Sequence, residues 1–129
     1  VKLFKLVLFN FIIGNNDMHL KNFSIINIDG KIQLSPCYDL INTTIEYKKP
    51  IEEIALPLKG KKKKLTKKIL IDYFGKEKCE LTDIVINNVL DAIYSALPGW
   101  KKLIAISFLS GEMKEKYLDL VNSRLKRIE

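Results

Sequence analysis

Gly14-Asn15-Asn16-Asp17-Met18-His19-Leu20-Lys21-Asn22-Phe23-Ser24 is the stretch whose reading decides the fold. It follows an apolar run, Val1 to Ile13. Two short apolar runs then lead from it to Tyr38-Asp39-Leu40. Asn22 comes five positions after Asp17, and Asp39 comes 17 positions after Asn22. The stretch has no continuous apolar period, so it reads as a loop. An acid, an amide and a second acid are thus presented in a fixed order along a short length of chain.

The run before the loop reads as a helix. Leu3, Leu6, Val7, Asn10, Phe11 and Gly14 follow helical steps, and apolar residues occupy the other faces too. A helix apolar nearly all round is a buried one. After the loop, Phe23 to Ile28 and Lys31 to Leu34 flank Asp29-Gly30. An Asp-Gly pair between apolar runs signals a tight hairpin, because both turn positions tolerate positive φ. Pro36 ends the second strand. Such a hairpin returns the chain so that Asp39 can approach Asn22.

These residue types suit phosphoryl transfer. That reaction needs a carboxylate beside the incoming hydroxyl and hard oxygen ligands for magnesium. Asp17 fits the first task; Asn22 and Asp39 fit the second. Lys21 can set a positive charge near the moving phosphate. The order and spacing match protein kinases, whose loop Asp and Asn are separated by four residues and whose second Asp follows a hairpin. Each residue also has an ordinary use. Asn15, Asn16 and Asp17 after a glycine are helix-ending and turn residues. Asp39 could cap a short helix. His19 is the only histidine, so a zinc site is not expected. It suits bracing the loop by hydrogen bonds better than acting as a base.

The wording of the loop is more specific than its spacing. Asn16-Asp17-Met18-His19-Leu20-Lys21-Asn22-Phe23-Ser24, with Leu34-Ser35-Pro36-Cys37-Tyr38-Asp39-Leu40, resembles the C-terminal lobe of HipA-type serine/threonine kinases, the toxins of bacterial toxin–antitoxin modules. The resemblance continues through Leu56-Pro57-Leu58-Lys59-Gly60-Lys61-Lys62 to the helical tail. It implies a kinase-like C-lobe, ATP and magnesium as cofactors, and protein hydroxyls as acceptors. It makes Asp17 the catalytic base and Lys21 the loop lysine. Asn22 and Asp39 become the metal ligands, grouped with His19 as the cofactor-facing set. Proteins of translation, such as aminoacyl-tRNA synthetases, are the substrate class it suggests. No glycine-rich phosphate loop and no strand lysine precede Asp17, so the chain is expected to be part of an enzyme. An antitoxin or an N-terminal lobe is the expected partner.

Composition sets the outer bounds. The 129 residues, 47% hydrophobic and 29% charged, allow one domain with a modest core. Polar residues interrupt every long apolar run, so no membrane span is expected. Cys37 and Cys79 are too few and too scattered for a disulfide framework or a metal knuckle, which points to the cytoplasm. The net charge of +7 is local: Lys59, Lys61 to Lys64, Lys67 and Lys68 carry an equal number of charges with no acid between them. This cluster reads as a solvated turn. It has no arginine and no interleaved aromatics, so direct nucleic-acid binding is not expected.

Leu40 to Pro50 occupies the place of an activation segment, with hydroxyls at Thr43, Thr44 and Tyr47. Ile51 to Leu58 reads as extended. The remainder reads as helical. Thr66 is expected to cap Lys67 to Phe74, with Gly75 as the stop. Thr82 should cap a helix from Asp83 to Leu97, ended by Pro98-Gly99. A short helix is expected over Trp100 to Leu109, and Ser110 should cap the last one. The expected fold is therefore α+β, mostly helical, in one domain over residues 1–129. The alternative function is a non-catalytic kinase-lobe fragment that serves as a protein-interaction module.

Overall fold

Helix α1, Lys2–Ile13, is the axis of the molecule. Phe4, Leu8, Phe11 and Ile12 are wholly buried, as its nearly all-round apolar surface requires. Each such side chain contributes roughly 1.5–3 kcal/mol by leaving water. The computed structural model describes residues 1–46 and 52–129. Tyr47 and Ile51, the latter expected to open an extended stretch, lie outside the described residues. The architecture is α+β and mostly helical, with one two-stranded antiparallel sheet among the described residues. No described helix is long and apolar enough to cross a membrane.

The hairpin forms where the Asp-Gly signal puts it. Strand β1, Ile25–Ile28, pairs with β2, Lys31–Leu34, so that Ile25 faces Leu34 and Ile28 faces Lys31. Asp29 and Gly30 take φ of 50° and 80°, the mirror-image turn that matches strand twist. The first strand is shorter than expected, since Phe23 and Ser24 belong to the loop exit. Two strands alone are marginal in water. One exposed hydrogen bond ties this pair to α1: Lys2 Nζ donates to Gln33 Oε1 at 2.9 Å. A cavity of about 530 Å³ separates the hairpin from α1 and the long helix behind it.

Two helical expectations need correction. Lys67 to Phe74 does not stop at Gly75. A π-helix spans Lys68–Lys78, and its wide turn shows in Cys79 N donating to Phe74 O at 2.9 Å. Gly75 is a packing residue: a Cβ there would lie 2.8 Å from the Phe4 ring. Thr66 contributes its carbonyl rather than its side chain, accepting from Ile69 N and Leu70 N.

The second correction concerns Pro98-Gly99. Helix α2, Asp83–Ile106, runs straight through that pair and absorbs the short helix expected after it. Ile93, Leu97, Trp100 and Ile104 continue one apolar stripe across the proline. Trp100 also meets Phe9 edge to face, with ring centroids 5.3 Å apart. Pro98 is exposed, where water can replace the missing N–H. The other two expected caps form: Thr82 accepts from Val85 N, and Ser110 accepts from Met113 N at the start of α3, Gly111–Leu125.

The C-terminal end closes the fold through one ionic node. Arg127 donates twice to Glu53, at 2.7 and 2.9 Å, and also to the Leu65 carbonyl. Arg124 lies 3.4 Å from the same carboxylate, poorly aligned for a hydrogen bond, with its guanidinium 4.5 Å from the Phe11 ring centre. Burial lowers the Arg124 pKa to about 10, which leaves it charged at neutral pH. The lysine-rich segment is a turn, as expected. Leu58 and Lys61 bond to each other on both sides of Lys59-Gly60, and Lys62 pairs with Glu52 at 3.2 Å.

Candidate active site

Gly14 ends α1 in a left-handed conformation, φ 77°, and turns the chain into the loop. Asn15 N returns to Asn10 O at 2.9 Å and completes the helix end. The Gly14 carbonyl then accepts from the backbone N–H groups and hydroxyls of both Thr43 and Thr44. Thr44 is buried by this contact. The segment after Asp39 is thereby fastened to the start of the loop.

Asp17 and His19 are exposed on either side of buried Met18, which anchors the loop from beneath. His19 Nε2 lies 3.2 Å from Asp17 Oδ1, a contact between two half-exposed side chains. The backbone tightens around this pair. His19 N donates to Asp17 O at 2.8 Å, and Asn22 N donates to His19 O at 2.9 Å. Leu20–Asn22 forms a single 3-10 turn. Asn22 is buried, and its Nδ2 donates to Asp17 O at 3.0 Å. That bond occupies the amide nitrogen and leaves the amide oxygen as the atom suited to a hard cation. Lys21 is exposed, and its carbonyl accepts from Tyr38 O–H at 3.1 Å.

Asp39 is exposed and takes φ 55°. A left-handed non-glycine residue costs on the order of 1 kcal/mol or more and persists only where neighbours over-determine it. It caps no helix among the described residues. Its carbonyl accepts from Asn15 Nδ2 at 3.2 Å. The structure therefore ties Asp39 to the loop in two ways, through Tyr38 to Lys21 and through Asn15. The side chains of Asn22 and Asp39 make no direct hydrogen bond to one another among the described residues. A magnesium site formed with nucleotide phosphates needs only one or two protein carboxylates, so this donor set fits the ion. No group of three or more His, Cys, Asp or Glu side chains suited to a metal occurs among the described residues.

The residue that sequence reasoning passed over is Asn15. Read as a turn residue, it is in fact 1% exposed. Besides Asp39 O, its Nδ2 meets Asn10 Oδ1 at 2.8 Å, and its Oδ1 accepts from Asp17 N at 3.1 Å. The signal was Asn10, the one polar residue of α1 besides the exposed Lys2 and Lys5. A buried amide needs polar partners, and the next amides along the chain are Asn15 and Asn16.

The comparison with protein families covers the loop, the hairpin, Asp39 and most of α2. Residues 1–100 match the family described as the HipA-like C-terminal domain. No curated protein matches the chain. With 100 of its 129 residues matched, the chain belongs to the HipA-like C-terminal domain family.

Proposed function

We propose that this domain is the C-terminal catalytic lobe of a HipA-like serine/threonine kinase. In this reading it moves the γ-phosphoryl group of magnesium-ATP to a protein hydroxyl. The observation that carries the reading is the joint anchoring of both acids. Asn22 binds the Asp17 carbonyl, while Asn15 holds the Asp17 N–H and the Asp39 carbonyl together. Asp17 orients the acceptor hydroxyl and takes its proton as that oxygen bonds to phosphorus and the bond to the ADP oxygen breaks. Asn22 and Asp39 supply oxygens to magnesium, which neutralises charge on the phosphates. His19 holds the Asp17 carboxylate, and Lys21 offers positive charge to the moving phosphate. An N-terminal lobe completes the ATP site, consistent with a family defined as a C-terminal domain. Toxin–antitoxin pairing and a cytoplasmic setting belong to the same proposal.

The test is transfer of labelled phosphate from ATP to protein, with the N-terminal lobe supplied. Label should appear on serine or threonine, vanish with a magnesium chelator, and fall roughly 100-fold in Asp17→Asn, the usual share of general-base catalysis. Transfer unaffected by Asp17→Asn would remove the assignment. One observation favours a second reading as an interaction module. Leu103, Ile106 and Phe108 stand 64%, 77% and 110% exposed around the turn between α2 and α3. Specific partner capture lost on Phe108→Ser, with no phosphate transfer under any condition, would favour that reading.

A further inference from the structure

We infer that Asn15 is the positioning residue that sets the distance between the two acids, an inference that rests on the metal-site reading above. Its hydrogen bonds have one workable orientation. Asn10 Nδ2 donates to Leu6 O at 2.9 Å, which is fixed within α1, so Asn10 presents its oxygen to Asn15. Asn15 must answer with its Nδ2. The second Nδ2 proton then goes to Asp39 O, and the Asn15 oxygen meets Asp17 N–H. Both donors and one acceptor site are used by a side chain that is itself almost wholly buried. The position of the buried helix is thereby passed to Asp17 and Asp39 at once. Asp39 in its left-handed conformation has this donor to hold its carbonyl. Asn15 itself touches neither phosphate nor metal in this scheme and acts only through the residues it holds.

Alternative side chains separate this role from simple support. Asn15→Asp is nearly the same size and keeps an oxygen for Asp17 N–H. It loses both donors and turns a carboxylate oxygen towards the Asn10 and Asp39 oxygens. If Asn15 were merely near the metal, an added carboxylate would tighten cation binding. If it positions Asp39, the same change weakens it. The experiment is a titration of the 129-residue chain, with ATP and the N-terminal lobe supplied, with manganese(II) chloride, read as paramagnetic broadening of each backbone amide. In the unaltered chain, the Asn22 and Asp39 amides should broaden together. In Asn15→Asp and Asn15→Ala, half-broadening at Asp39 should need about ten-fold more manganese, the usual effect of a residue supporting a ligand. Asn22 and Asp39 should then no longer broaden in step. Ile86→Val, a core truncation with no contact to either acid, should leave both midpoints in place. If Asn15→Ala does not fold, Asn10→Ala is read instead. It removes the anchor of Asn15 and should displace Asp39 in the same direction. Tighter manganese binding in Asn15→Asp, or joint broadening at unchanged concentration in every variant, overturns the inference. Absence of broadening in the unaltered chain overturns the metal-site reading on which it rests.

Discussion

Gly14 is held by two independent demands. Its φ of 77° is costly for any residue with a Cβ, and a Cβ there would meet Leu120 at 2.5 Å and Thr44 at 3.0 Å. Leu120 can move its tip, but Thr44 is fixed by its bonds to the Gly14 carbonyl. Gly14→Ala should therefore lower stability by about 2 kcal/mol, combining left-handed strain with a crowded contact. Urea denaturation followed by circular dichroism measures it, and an unchanged midpoint would contradict the packing described. Much of this scale was legible in sequence. Chemical type and spacing singled out Asp17, Asn22 and Asp39, which the structure ties to one loop, and place in the loop singled out His19, which lies beside Asp17. Asn15 was not, because an asparagine after a glycine has the same local signature whether its side chain meets water or a buried amide.

Among the helices, two glycines with the same one-letter code have opposite roles. Gly75, within the π-helix, lies against the buried Phe4 ring, whereas Gly99, within α2, has nothing within 4 Å of where a Cβ would stand. Gly75→Ala should destabilise by about 1–3 kcal/mol through overpacking. Gly99→Ala should stabilise by roughly 0.5–1 kcal/mol, the helix-propensity gain at an exposed interior position. Thermal unfolding of the two variants reads both signs at once. A loss in Gly99→Ala would mean that α2 breaks at Pro98-Gly99 after all. The hairpin was legible because Asp29-Gly30 is a local signal. The run of α2 through Pro98 was not, because a local breaker was outweighed by a tertiary stripe. Ile93, Leu97 and Trp100, packed in or against the core, and buried Ile104 gain more from leaving water than one missing N–H costs. The π-helix left no periodicity distinct from that of an α-helix over so short a span.

At the scale of the whole molecule, the Glu53 node joins the lysine-bearing segment to the last turn of the chain. Burial alone would raise the Glu53 pKa. The Arg127 hydrogen bonds, the Leu65 N–H and the charges of Arg124 and Arg127 outweigh it and bring it below the ordinary 4.5. The sign follows from linkage. A carboxylate with a lowered folded-state pKa contributes stability above its unfolded value, and loses it as pH falls through the folded value. Glu53→Gln should thus cost about 1.5–3 kcal/mol at pH 7, the range for hydrogen bonds to a charged group, and distinctly less at pH 3. Urea unfolding of both chains at the two pH values checks it, and an equal deficit at both would contradict the node. This closure could not be read from sequence, since Glu53 and Arg127 lie 74 positions apart and each looks like an ordinary surface charge.

The account as a whole turns on different duties for Asp17 and Asp39, and a magnesium titration of phosphate transfer in Asp17→Asn and Asp39→Asn, side by side with the N-terminal lobe supplied, tests that most directly. Asp17→Asn should keep the magnesium requirement of the unaltered protein while its rate falls roughly 100-fold. Asp39→Asn, having lost a charged ligand, should need more magnesium to reach half of its maximal transfer. Full transfer in Asp17→Asn, or an unchanged magnesium requirement in Asp39→Asn, would contradict the account.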